Sequence, residues 1–328
     1  MINTHYDLII GQFVRQQEIK YSSGNDNRAN RHLIMITVYR NSVQSWEIDQ
    51  MGHMNVQFYF EKALQGCVVL WNKLGINDQP IELGNKNLSL ARAHIRFLKE
   101  QKPGAPFFLK MGIVELGDTE VKLYLEMIET ITQKPCAAFN FQFLWTSKPT
   151  EEVKKNFFKV LEDLKVDIPS YGQTRGLSLE KEPLINLAQA SQKNMIDSFE
   201  SVILLRQCDN MAKIKPSAYM GIVSDSTPHL LAYTGTIDEN GMTNVGSAAL
   251  EYKFDFFEYV PLGTHLKTKS GVQSLSNKTF VWKHWIFNVD TGKPVALASA
   301  VAVTMDLEAR KSIPIPPEMS AALTKLIL

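Results

Sequence analysis

The chain repeats itself, and that repeat constrains its fold more than any other feature. EIDQMGHMNVQFYF, at residues 47–60, returns later as QCDNMAKIKPSAYM. Asp49, Met51 and Tyr59 are matched by Asp209, Met211 and Tyr219 at an offset of 160 residues. The register holds downstream, where Pro103 matches Pro261 at an offset of 158 and TQKP, ending at Pro135, matches TGKP, ending at Pro294, at 159. A constant order at a nearly constant offset marks two copies of one unit, so whatever one copy folds into, the chain builds twice. With 328 residues and 45% apolar content there is material for two cores.

Each copy has the same coarse plan. In the first, strand-like residues at Met35–Tyr39 and Val43–Ile48 lead to the Asp49 loop. The apolar spacing then predicts a helix from Val56 to Lys73, with Asn55 as its N-cap and Gly75 at its stop. Its apolar face is too wide for a helix resting on a surface, so something wraps it. Four strand-length runs follow, Asn87–Glu100, Phe107–Leu116, Glu120–Thr132 and Cys136–Thr146, separated by Pro-Gly, Gly-Asp and Gln-Lys-Pro turns. Short turns imply an antiparallel meander. The second copy repeats it over Val245–Glu258, His265–Ser274, Lys278–Val289 and Val295–Asp306, and Pro228 is expected to cut its helix short. Between the copies, 149–165 reads as an amphipathic linker helix and 166–190 as loop, while Tyr21–Arg31 is polar enough to be mobile.

Charge and composition exclude several classes of function. Thirty-five basic and thirty-four acidic residues leave a net charge of +1, which gives no field to draw the chain to nucleic acid or an anionic membrane. The longest strongly apolar stretch, Val295–Met305, is about half of what a membrane helix needs. Three widely spaced cysteines and a start without a signal-peptide pattern point to a reducing, cytoplasmic location. No metal-ligand spacing, phosphate-binding glycine loop or G-x-S-x-G elbow is present, so neither a cofactor nor a metal is expected.

Asp49-Gln50-Met51-Gly52-His53-Met54-Asn55, running into an aromatic-rich helix with Tyr59, resembles the signature of the 4-hydroxybenzoyl-CoA thioesterase-like family of hotdog-fold acyl-CoA thioesterases. DLEARKSIPIPPE near the end is similar to that family's closing segment. The resemblance covers roughly 35–147 and 202–317, and the chain as a whole resembles double-hotdog thioesterases of the carnitine and betaine catabolism type. It implies an α+β fold, a tandem hotdog in which each unit is an antiparallel sheet wrapped around a central helix. The first unit would span 32–148, the linker helix and loop 149–190, and the second unit 191–328. It also implies an acyl-CoA substrate and a site at the seam between units, with further assembly of the fused pair left open.

A thioester releases a thiol of pKa about 8.5, so a polarised carbonyl and a carboxylate suffice for hydrolysis. Asp49 supplies the carboxylate, as general base or as nucleophile; taken alone, an aspartate here more often caps the helix or braces its loop, and the family pattern around it turns the reading to catalysis. His53 would orient it or pack; Asn55 would position substrate or cap the helix. Oxyanion donors, each worth about 3 to 4 kcal/mol, are sought in the turn from Gly52 through Met54 to Asn55 and at Gly246, which could instead relieve crowding at a strand end. The second copy keeps Asp209 but puts Ala212, Lys213 and Lys215 where Gly52, His53 and Asn55 stand. Asp209 therefore marks an altered second site or a structural residue, and the two lysines would hold CoA phosphates or face solvent. Trp46, Phe58 and Trp71 could line an acyl pocket or fill a core. A non-catalytic acyl-CoA-binding sensor and a hotdog hydratase or dehydratase are the alternatives, and retention of Asp49 beside Gly52 and His53 favours turnover.

Overall fold

A computed structural model describes residues 35–73, 88–149, 151, 154, 155 and 164–328. The segment Tyr21–Arg31, the helix stop at Gly75 and most of the linker helix expected over 149–165 lie outside them.

The first unit is β1 (Ile36–Ser42), α1 (Val56–Lys73), β2 (Leu88–Phe97), β3 (Pro106–Leu116), β4 (Glu120–Glu129) and β5 (Pro135–Trp145). Short linker elements follow, among them α2 (Leu187–Ser191). The second unit runs β6 (Ile196–Val202), α3 (Pro216–Tyr233), the β7–β8 hairpin (Ile237–Asp238, Gly241–Met242), β9 (Val245–Phe256), β10 (His265–Leu275), β11 (Thr279–Asn288) and β12 (Pro294–Asp306). It closes with β13 (Lys311–Ser312) and α4 (Pro317–Thr324). The strand expected at Val43–Ile48 is instead a 3-10 turn at Ser45–Glu47. There the Glu47 carboxylate accepts from the Gln44 N–H at 2.9 Å, curling the chain out of the sheet.

All strands except β7 and β8 form one antiparallel sheet. Its main path is β1-β3-β4-β5-β2 in the first unit and β9-β12-β11-β10-β6 in the second. The second order mirrors the first across the β2–β9 junction, where Arg92 pairs with Asp255, His94 with Lys253 and Arg96 with Glu251. That register puts a pseudo-two-fold axis at His94 and Lys253. Charge selects this pairing: two copies of β2 would set Arg92 against Arg96, whereas β9 offers Asp255 and Glu251.

Alternation sends Ala93, Ile95, Tyr252 and Phe254 to the concave face, where α1 and α3 pack side by side. The charged residues go to the convex face, and segment 173–178 is strapped over them. The N–H groups of Arg175 and Gly176 donate to the Glu251 carboxylate at 3.0 and 2.8 Å, and Lys253 donates to the Ser178 carbonyl at 2.9 Å. Glu251 also takes a 2.8 Å bond from His94 Nε2. Burial pushes the Glu251 carboxyl upward, but these donors outweigh it and hold the group below the ordinary glutamate value.

Pro228 does not end α3, which runs through it to Tyr233. Packing against α1 and the second-unit sheet holds the helix in place. The cost is local, since Pro228 has no N–H to give the Ser224 carbonyl one turn earlier.

Candidate active site

Asp49 sits in a loop closed by an Ile48–Met54 bridge and tied at both ends. Met54 N–H donates to the Gln101 carbonyl at 2.8 Å and Asn55 N–H to the Glu47 carbonyl at 2.8 Å. A buried Lys62–Glu47 ion pair at 2.6 Å fixes the loop to α1. Within it, Gly52 has φ +74°, the left-handed geometry that glycine adopts without strain. Asp49 Oδ1 accepts from the Met51 N–H at 2.9 Å, and Oδ2 lies 3.4 Å from His53 Nδ1. His53 Nε2 is 3.5 Å from Glu100, which pairs in turn with Arg310. The carboxylate is thus oriented on one oxygen and backed by an imidazole on the other.

Asn55 does two jobs. Its side-chain oxygen accepts from the Gln57 N–H at 2.9 Å, capping α1, and its amide donates to Ser224 Oγ on α3 at 2.8 Å, bridging the units. The turn expected to supply oxyanion donors is largely committed. Gly52 N–H goes to the Asp49 carbonyl at 3.0 Å, and those of Met54 and Asn55 are spent as above. Among the described residues no backbone acceptor engages the His53 N–H.

Asp49, His53, Met54 and Asn55 open on a cavity of about 330 Å³ that runs into the second unit. Its walls there are α3, at Ser224, Thr227 and Leu230, and the sheet, at Tyr252, Trp282 and Ala300. The first unit supplies the carboxylate and the second supplies the chamber. β12 lines the cavity with Ala300 and Ala302, where strand pairing places Phe141 and Phe143 on β5; Ala298, the counterpart of Phe139, lies outside the wall. In the first unit those rings and Trp71 fill the equivalent volume, each at most 1% exposed.

A model of the thioesterase-like superfamily matches residues 43–169 and again 203–323. The chain belongs to that superfamily. By family it is a thioester hydrolase, in the tandem hotdog form that the strand order describes. Among solved structures it is similar to the 12:0-ACP thioesterase from Umbellularia californica, with a TM-score of 0.62, 10% identity, and coverage of 85% of this chain and 100% of that one. It is also similar to an acyl-ACP thioesterase from Bacteroides thetaiotaomicron, with a TM-score of 0.54, 12% identity, and coverage of 82% and 97%. At these identities the likeness is one of fold.

Within this hotdog thioesterase the remaining sequence candidates fall elsewhere. Gly246 is not in the cavity wall; a Cβ there would sit 2.6 Å from Leu307 Cδ2, so close packing accounts for the glycine. Lys213 and Lys215 also lie outside the wall, in the loop that precedes α3. Asp209 Oδ1 accepts from the N–H groups of Met211 and Lys213 at 2.8 and 3.0 Å, holding a turn in which Ala212 takes φ +55°. Trp46 is 73% exposed, Trp71 is core, and neither they nor Phe58 line the cavity.

Sequence reasoning missed Glu100, Ser224 and the alanine stripe. The last was readable as Ala296, Ala298, Ala300 and Ala302 at period two against Ala137, Phe139, Phe141 and Phe143. Among the described residues no cluster of three or more His, Cys, Asp or Glu side chains is placed to hold a metal ion, and no helix is long and apolar enough to cross a membrane.

Proposed function

We propose that this hotdog chain hydrolyses a CoA thioester of a medium-length acyl group at the Asp49 mouth, with the acyl chain lodged in the second unit. The observation that carries it is the meeting of the Asp49 carboxylate with a mostly apolar chamber at the seam. An engineered apolar cavity of about 150 Å³ takes benzene, six carbons, so about 330 Å³ takes roughly a dozen. Asp49, held by the Met51 N–H and His53, takes a proton from water as its oxygen adds to the thioester carbonyl carbon. The tetrahedral intermediate, its oxyanion facing the His53 N–H, collapses with loss of the CoA thiolate, which collects the proton. The same carboxylate could instead add directly and form an anhydride that water then opens; incorporation of heavy oxygen from water into Asp49 in a single turnover separates the routes. Lys99 and Lys102, both more than half exposed beside the mouth, suit the CoA phosphates better than Lys213 and Lys215.

The test is release of free thiol from straight, branched, aromatic and trimethylammonium acyl-CoAs. The reading requires turnover of at least one class and its loss in Asp49→Asn. Turnover of the trimethylammonium class would carry the resemblance to the carnitine and betaine type. Binding of every acyl-CoA with turnover of none would favour a sensor.

A further inference from the structure

The two units differ in one more respect, deep under the concave face. Strand pairing makes Val38, Leu109, Met111 and Leu125 of the first unit the counterparts of Ser198, Thr268, Ser270 and His284 of the second. All eight are at most 5% exposed. On the helix above, Gly66 is matched by Ser226, at the offset that relates Tyr59 to Tyr219. One unit thus builds this part of its core from hydrocarbon, and the other builds the same positions from hydroxyls and an imidazole.

A buried polar group destabilises its surroundings unless it is hydrogen-bonded. Here the bonding is incomplete. Ser198 Oγ and Ser270 Oγ are 2.7 Å apart, and Ser270 Oγ is 2.8 Å from His284 Nδ1. Thr268 Oγ1 is buried without a partner. The His284 ring is in the wall of the acyl chamber, and among the described residues no hydrogen bond engages Nε2. Burial pushes the His284 imidazole down to about 3, so at neutral pH it is uncharged and offers a neutral hydrogen bond.

Resting on the thioesterase reading above, we propose that the chamber is built for an acyl chain bearing a neutral oxygen, a hydroxyl or keto group, in its distal half, and that His284 Nε2 binds it. The uncharged ring has no cation to offer a carboxylate and no anion to offer an ammonium group. β11, which carries His284, lies two strands beyond β9, where the chamber leaves the seam. At about 4.8 Å per strand that is roughly 10 Å, the reach of about eight carbons of an extended chain. Ser270 and Ser198 behind the ring hold its tilt, and Ala300 and Ala302 leave the path to it open.

The experiment compares decanoyl-CoA with 10-hydroxydecanoyl-CoA in hydrolysis by the wild-type chain and by His284→Leu, which installs the first unit's residue. Because the first unit packs leucine there, the variant is expected to fold; Ser270→Ala, which leaves the ring in place but unheld, is the second probe. A parallel arm measures binding of decanoic and 10-hydroxydecanoic acids to Asp49→Asn by tryptophan emission, Trp282 being in the wall. The wild type should favour the hydroxylated chain by about tenfold or more in kcat/KM and in affinity. His284→Leu should reverse the preference and Ser270→Ala should reduce it. Equal treatment of the two chains by the wild type, or a preference that His284→Leu leaves unchanged, overturns the proposal. Discrimination in the binding arm without hydrolysis in the other sinks the thioesterase mechanism and leaves this inference standing.

Discussion

Phe141 and Ala300 hold the same place in the two units: Phe141 pairs with Ala93 and Leu123, Ala300 with Tyr252 and Trp282. At this place and at its neighbour Phe143 the first unit packs buried phenyl rings, and the second unit puts Ala300 and Ala302 in the wall of the chamber. Ala300→Phe should therefore close the chamber. We expect a loss of about ten- to a hundredfold in kcat/KM on decanoyl-CoA with little change on acetyl- or butyryl-CoA, read from a chain-length series. The reciprocal Phe141→Ala should cost about 3 to 5 kcal/mol in urea unfolding without extending the accepted chain.

The two aspartates separated by 160 residues should behave differently. Asp49→Asn should reduce thiol release by about a hundredfold to ten-thousandfold with an unchanged circular dichroism spectrum. Asp209→Asn should leave turnover near the wild-type level and lower the melting temperature, because Asp209 holds its turn through two backbone N–H groups. Inactivation by the second change alone would move the working mouth to the other side of the seam.

Asn55 and Ser224 couple the units through one hydrogen bond at the cavity mouth. Asn55→Ala removes both the cap and the bridge and should cost about 1 kcal/mol or more, whereas Ser224→Ala removes only the bridge. A double-mutant cycle on unfolding and on kcat separates the two contributions. Additivity of the two changes would show that the bridge carries no coupling between units.

The seam should weaken in acid. The folded-state pKa of Glu251 is depressed, so its contribution is present above the unfolded value of about 4.3 and is lost as pH falls through the folded value. Glu251→Ala should destabilise by about 3 to 5 kcal/mol at pH 7, leaving His94 and the N–H groups of Arg175 and Gly176 without their acceptor. The difference from wild type should shrink as pH drops below about 4.3, measured by urea unfolding at a series of pH values. A gap that stays constant down to pH 3 would refute the assignment.

Much of the architecture was legible in the sequence because it depends on local periodicity. The repeat offset, α1 from Val56 to Lys73 and the four meander strands of each copy follow from apolar spacing and turn residues, which act over a few neighbours. The Asp49 loop was legible for the same reason: Asp49, Gly52 and His53 stand within five residues, just ahead of Asn55 at the helix start. Pro228 was misread because a proline's local cost is visible in sequence, whereas the packing that holds α3 through it comes from distant residues.

What the sequence determined by itself was the existence of two like units and the one loop carrying the carboxylate. Only the tertiary structure decided that β2 and β9 join edge to edge, that 173–178 straps their buried charges, and that Asp49 of one unit opens into the interior of the other. The physical reason is range: a helix or a turn is fixed by residues a few positions apart. The seam, the strap and the chamber are fixed by pairs such as Arg92 with Asp255 and Asn55 with Ser224, more than 160 positions apart, which meet only when the sheet has closed.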